Sequence, residues 1–293
     1  MSVTHQALLD AVMRLLDRER TVKSVVLFGS NAREFSKTGH WSDFDLHVVT
    51  SAPGRLERMD WASVDPKSQV CWTALRAAAA GVRKLTVVFS SGQIDMVIVP
   101  LARSKRVRRT FLRDVSALNS PETNALNEMA TCLWAGYRFL KGEAEWGQFY
   151  SRVVKEMPGV RLGDVAIEQL ANLFVCDLLW ILQKLERGEL LAAQHALHRQ
   201  LSEVNLRLMR ELRLREGKSL PSFGLGRRFE QLLSASDLKH VRVDARSDRK
   251  SLQRAAWNLY AGLCSLMTKL RPSWSVPKPM ISLIGQFSPT SVR

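Results

Sequence analysis

The chain has 293 residues, 46% of them hydrophobic and 24% charged, which supports a sizeable core and excludes a low-complexity or disordered polymer. Forty-three Lys and Arg against twenty-eight Asp and Glu leave a formal charge of +15, spread over both halves of the sequence. Such a field favours anionic partners (nucleotide, nucleic acid, acidic surface) and disfavours cationic ones.

The first twenty residues, "MSVTHQALLDAVMRLLDRER", place Asp10, Asp17 and Glu19 among apolar positions. They predict an amphipathic helix over 5–19 and not a secretory leader, which needs an uninterrupted apolar centre. Strands are expected at 23–28 and 44–50, and "KSQVCWTALRAAAA" reads as a helix over 67–80. "LTVVFSSGQIDMVIVP" then gives two strands, 85–90 and 93–99, joined by the turn residues Ser91 and Gly92 and stopped by Pro100. This part reads as a small mixed sheet with helices. Beyond about 105 apolar residues recur at helical spacing in 107–118, 124–140, 145–156, 164–187, 189–215, 226–235 and 249–270. The expected organisation is α+β: a mixed-sheet domain over 1–104, an all-helical domain over 105–272, and an irregular Pro- and Ser-rich tail over 273–293. The most apolar helix, "VAIEQLANLFVCDLLWILQKL", contains Glu168, Asn172 and Asp177, which argues against a bilayer span. Cys71, Cys132, Cys176 and Cys264 lie far apart without a paired spacing. Reduced cysteines in helices of a cytoplasmic protein are expected.

The chemistry concentrates in "LFGSNAREFSKTGHWSDFDLHVV" (27–49). Asp43 and Asp45 stand at i and i+2, so a strand carries both on one face. Two carboxylates there repel each other unless a cation lies between them. Oxygen-only ligands on a rigid strand suit Mg2+, which takes one or two carboxylates plus substrate phosphates. A solvent-facing pair on an edge strand is the plain alternative. Upstream, Gly29 and Ser30 end the preceding strand, where a residue without Cβ lets a phosphate approach backbone N–H groups and a hydroxyl. A helix start within "SNAREF" would add a favourable dipole. Asp95, inside the apolar strand "GQIDMVIVP", is costly without a partner. Pairing of that strand with 44–50 would complete a three-carboxylate cluster, as two-metal nucleotidyl transfer requires. A salt bridge to an Arg is the competing explanation.

Taken together, Gly29-Ser30, Asp43-x-Asp45 and Asp95 resemble the nucleotidyltransferase superfamily that includes DNA polymerase β and the antibiotic adenylyltransferases. The helical half, in "LLWILQKLERGELLAAQHALHRQLSEVNLRLMRELRLREGK" and "GLGRRFEQLL", is similar in rhythm to streptomycin-type aminoglycoside adenylyltransferases and lincosamide nucleotidyltransferases. The resemblance implies transfer of a nucleoside monophosphate, AMP from ATP foremost, to an acceptor hydroxyl, including that of an antibiotic. It implies triphosphate on Gly29 and Ser30, Mg2+ on Asp43 and Asp45, and Asp95 as third ligand or general base. In related antibiotic enzymes the base can come from the helical domain, where Asp177 is the candidate; a buried ion pair is the alternative for that residue. The charge pulls the other way, since a +15 chain suits a polycationic acceptor poorly and an RNA end, a protein hydroxyl or a less cationic small molecule better. A non-catalytic, antitoxin-like or nucleic-acid-binding member of the same fold is the alternative function.

Outside that stretch, the basic run "RSKRVRRTFLRD" (103–114) is a cleft wall, a polyanion site or a solvated helix face. His40 and His47 read as peripheral, although His47 follows Asp45 at i+2, because Mg2+ seldom takes imidazole. The eight Trp fall mostly in predicted helices, which favours core packing over base stacking.

Overall fold

The computed structural model describes residues 3–32, 43–64, 68–78, 81–134, 136–217 and 229–287. Two compact units divide the chain, Met1–Val160 and Arg161–Arg293. The division falls well beyond the expected 104/105, because three helices and a strand after residue 100 pack onto the sheet.

The first unit runs α1 (Val3–Arg18), β1 (Val22–Phe28), β2 (Phe44–Thr50), a short α2 (Pro53–Glu57), β3 (Val70–Ala77), β4 (Arg83–Phe89) and β5 (Gly92–Pro100). It continues through α3 (Leu101–Arg113), α4 (Ser120–Leu133), β6 (Tyr137–Lys141) and α5 (Glu143–Glu156). The six strands lie in the order β3-β4-β5-β2-β1-β6. β2 and β5 pair in parallel at the centre, and every other neighbour is antiparallel.

Two elements of this unit differ in type from the sequence expectation. Residues 70–77 form strand β3 and not a helix: "VCWTAL" is rich in strand formers, and pairing with β4 overrides the alanines that follow. Cys71 consequently lies on a strand, and all four cysteines are free thiols. Within the expected helix 124–140, α4 stops at Leu133 and β6 begins at Tyr137. Gly136, at φ +117°, turns the chain, and the aromatic "YRF" then pairs with β1. The start of α4 is set locally by a reciprocal cap between Asn119 and Glu122.

Strand alternation sorts the sheet into two faces. On one, Val25, Leu27, Phe44, Leu46, Val48, Leu85, Val87, Ile94 and Met96 pack with Leu8, Leu9, Val12 and Leu16 of α1. On the other, Val26, Phe28 and Val49 pack with Phe111 of α3, Leu126 and Leu133 of α4, and Trp146, Phe149 and Tyr150 of α5. That second apolar cluster draws its sheet residues from β1, β2, β5 and β6, and none from β3 or β4.

The second unit is helical: α6 (Asp164–Glu186), α7 (Leu190–Ala196), α8 (Glu203–Arg215), α9 (Phe229–Leu232), α10 (Ala235–Leu238), α11 (Arg249–Leu270) and α12 (Lys278–Gly285). A π-helical turn, Leu197–Ser202, joins α7 to α8, so the expected helix over 189–215 is continuous but wound wide in its middle. α12 lies within the tail expected to be irregular, with Pro279 in its first turn where a missing N–H costs nothing. α6 is long and apolar enough by composition to cross a membrane. Ile167, Phe174, Leu178, Ile181 and Leu185 bury one side of it in the helical core, while Val165, Leu173 and Trp180 are exposed.

Candidate active site

The parallel pairing of β2 with β5 sets Asp45 directly beside Asp95. Opposed residues of neighbouring strands share a face, so both carboxylates leave the sheet on the same side. β2 is a central strand, which rules out the edge-strand alternative. Asp45 is 2% exposed and Asp95 5%. Asp43, immediately before β2 and half-buried, brings a third carboxylate: one oxygen from each of Asp43, Asp45 and Asp95 lies within 4.8 Å of the others.

The loop after β1 supplies the second component. Phe28 pairs with Asp45, and the chain then turns through a 3-10 segment, Gly29–Ala32. Gly29 sits at φ +78°, and a Cβ there would lie 2.6 Å from Asp45 Oδ2. Both the backbone angle and the space therefore require glycine. Asn31, itself buried, donates its amide to the Asp43 carbonyl at 2.7 Å and ties this turn to the start of β2. The expected helix start shows as that 3-10 turn; the Ser30 side chain, His40 and the rest of 33–42 lie outside the described residues.

Strand β4 supplies what the sequence did not reveal. Lys84 Nζ lies 2.6 Å from Asp95 Oδ2 and 3.9 Å from Asp45 Oδ1. Thr86, opposite Asp95, donates its hydroxyl to Asp95 Oδ1 at 2.6 Å, and Gln93 donates to the same oxygen at 3.2 Å. Asp95 does have a salt bridge, but to Lys84 and within the cluster, so ion pair and acid cluster coexist. A sequence signal existed: "RKLTVVF" alternates, with Leu85, Val87 and Phe89 buried toward α1, so Lys84 and Thr86 must face the other way.

His47 shares the Asp45 face but belongs to the packing. Its Nδ1 lies 2.6 Å from the Tyr150 hydroxyl, and burial lowers its pKa to about 4, so the ring is neutral at pH 7. Cys132 on α4 is a protonated thiol. Burial first, then the negative charge of Asp45, pushes it up to about 12. On α3 the basic run is largely spent on its own unit: Arg106 pairs with Glu122, and Arg108 pairs with Glu145 and lies over Trp146.

Asp177 sits on α6 in the second unit. It is half-buried, and burial raises its pKa. Lys184, two turns along the same helix, pairs with Glu189 and lies over Trp180. Among the described residues no hydrogen bond or ion pair engages the Asp177 carboxylate.

The donor set fits Mg2+. All three groups are hard carboxylate oxygens, and an octahedral ion at about 2.1 Å spans up to roughly 4.2 Å between ligands. Only one pair of the three can be trans on one octahedral ion, the other pairs lying about 3 Å apart, so the observed set, within 4.8 Å, must draw inward to share one ion and fits two ions more easily. The ammonium of Lys84 between two of the carboxylates marks the same demand for positive charge.

No family model matches the chain, and no curated protein does. Among solved structures it is similar to an aminoglycoside 6-adenyltransferase from Bacillus subtilis, at 12% identity and a TM-score of 0.42, over 97% of both chains. It is also similar to a nucleotidyltransferase-like protein from Exiguobacterium sibiricum, at 12% identity and a TM-score of 0.31, over 90% of this chain and 76% of the other. Likeness at that level is loose, and the functional reading rests on the site itself.

Proposed function

We propose that this chain is a cytoplasmic Mg2+-dependent nucleotidyltransferase that moves a nucleoside monophosphate, AMP from ATP foremost, onto an acceptor hydroxyl. The observation that carries the reading is the convergence of Asp43, Asp45 and Asp95 within 4.8 Å, beside a glycine at which a Cβ would lie 2.6 Å from Asp45 Oδ2. Like charges at that spacing are costly without a cation, and a phosphate cradle adjoins them.

In this reading Asp43 and Asp45 hold the metal, and the backbone at Gly29 and Ser30 receives the outer phosphates of the donor. The bound metal would supply charge neutralisation on the triphosphate and a more acidic acceptor hydroxyl. Asp45 is buried on a central strand, close against Gly29. Asp95 keeps its Oδ1 anchored by Thr86 and Gln93, and its Oδ2 opens to metal or acceptor once Lys84 shifts. Lys84 then turns its ammonium toward phosphate charge. A polycationic antibiotic acceptor, which the family resemblance implies, is at odds with the +15 charge.

The test is thermal stability of the full chain with each NTP, with and without Mg2+, on wild type and Asp45→Asn. Ligand at 100 times its dissociation constant adds about 2.7 kcal/mol, which is several degrees at roughly 2–4 °C per kcal/mol. A Mg2+-dependent rise confined to wild type supports the reading. An equal rise in Asp45→Asn, or none with any nucleotide, would sink it.

A further inference from the structure

We propose that the β3–β4 end of this sheet face binds single-stranded nucleic acid, with Trp72 as the stacking platform and the strand's 3′-terminal hydroxyl as the acceptor. The inference rests on the nucleotidyl-transfer reading above and names its acceptor.

Placement comes first. Trp72 is 70% exposed on β3. It pairs with Val88 of β4, which pairs with Gln93 of β5, so all three share the face that carries Asp95. From Asp95 the indole lies two strands across and two residues along, roughly 10 Å by 7 Å. Arg76, four residues further along β3, is exposed on the same face. Its guanidinium donates to the Thr86 hydroxyl at 3.3 Å, and Thr86 donates to Asp95. A polar chain thus runs from the open surface into the acid cluster.

Direction follows from the chemistry. Gly29 flanks Asp45 on the β1 side, while β4 and β3 flank Asp95 on the other. In an in-line displacement the acceptor oxygen and the leaving pyrophosphate lie on opposite sides of the α-phosphorus. Donor phosphates at Gly29 therefore place the acceptor over β4 and β3. The acceptor oxygen bonds to the α-phosphorus of the NTP as the bridge to the β-phosphate breaks. The electron pair of that bridge leaves with pyrophosphate, and the hydroxyl proton passes to Asp95.

The surface then selects the ligand. An exposed indole stacks on any base, and an adjacent guanidinium and ammonium meet phosphates. Neither "VCWTALRA" nor "RKLTVVF" contains an acidic residue, so nothing on these strands would grip a polycation. The +15 charge of the whole chain acts in the same direction.

The experiment is fluorescence anisotropy of 5′-fluorescein 12-mers of single-stranded RNA and DNA with the full chain, over a salt series without nucleotide. Wild type should bind with salt-dependent affinity. Trp72→Ala should bind about tenfold or more weakly, the loss of one stacked base, and Trp72→Phe should restore most of it. Arg76→Gln should lower the slope of log K against log salt by about 1. With Mg2+ and NTP, wild type should extend the unlabelled 3′ end on a denaturing gel. No oligonucleotide binding, or binding undiminished in Trp72→Ala, overturns the proposal even if the Mg2+·NTP stabilisation stands. Loss of that stabilisation in Trp72→Ala would assign the indole to the donor base and also overturn it. Loss of the transfer reading alone would show as binding intact with no nucleotide effect in wild type.

Discussion

Two buried carboxylate sites in this molecule solve the same electrostatic problem in opposite ways. In the helical unit, Glu211 is 2% exposed and saturated: Arg161 donates from Nε and a terminal nitrogen, Arg215 from Nε, and Leu162 from its backbone N–H at 3.0 Å. Burial raises its pKa, and these donors more than offset it, so the net pKa lies below the ordinary glutamate value. Asp164 extends the network to Arg215 and Arg271. In the sheet unit three carboxylates converge, and the Lys84 ammonium lies between two of them, Asp45 and Asp95. Glu211 holds helices together and asks nothing of the solution. In the function proposed above, the Asp43/Asp45/Asp95 cluster takes a cation from it.

The sharpest break of that contrast is Asp45→Asn. It should lower nucleotidyl transfer on the order of 10³-fold, about 4 kcal/mol of barrier, while the ligand-free protein melts no lower than wild type because like-charge repulsion is relieved. Product formation and ligand-free melting temperature check the two halves of the statement.

Lys84→Met comes next. Removing the ammonium should lower ligand-free stability by roughly 2–4 kcal/mol, since it leaves buried carboxylates facing one another. Millimolar Mg2+ should restore more stability to this variant than it adds to wild type, read from urea midpoints with and without the metal. Equal Mg2+ responses would mean that Lys84 does not share the metal's place.

Glu211→Gln tests the other side. It takes the Glu211 charge from two guanidiniums, yet both are a third or more exposed and Arg215 keeps Asp164, so the expected cost is about 2–3 kcal/mol, below that of a fully buried pair. The Mg2+·NTP stabilisation should be untouched. A lost nucleotide response would merge the two sites into one system.

The smallest effect is in pH. Glu211, Asp164 and Asp237 all have pKa values lowered in the folded protein. A depressed carboxylate pKa contributes stability that is present above the unfolded value, near 4–4.5, and is lost as pH falls through the folded value. Urea midpoints should therefore hold between pH 7 and 5 and decline below about 4.5, by less than 1.4 kcal/mol per unit for each group. In Glu211→Gln the decline should be shallower.

How much of this was legible beforehand varies from residue to residue. Gly29, Asp43, Asp45 and Asp95 stand out in the chain because each breaks a local rule: a glycine at a strand end, two like charges on one face, an acid in an apolar strand. Lys84 and Thr86 break none. An alternating strand with a lysine reads as an ordinary surface element until β4 is known to lie beside β5. Asp177 shows the converse, for an apolar helix predicted a buried acid that is either paired or catalytic, and the packing of α6 leaves it half-buried without a described partner.

Four of the six strands, the helical character beyond 161, the acid residues and the positive charge of the chain were all readable in the sequence alone. These follow from side-chain period, backbone freedom and formal charge, which are local or additive. Only the tertiary structure decided that β3 and β6 are strands, that β2 and β5 are parallel neighbours, and that Lys84 bridges two acids while Trp72 lies open. Strand pairing joins residues distant along the chain, and in short segments the hydrogen bonds and packing it provides outweigh the few tenths of a kcal/mol by which local propensity prefers a helix.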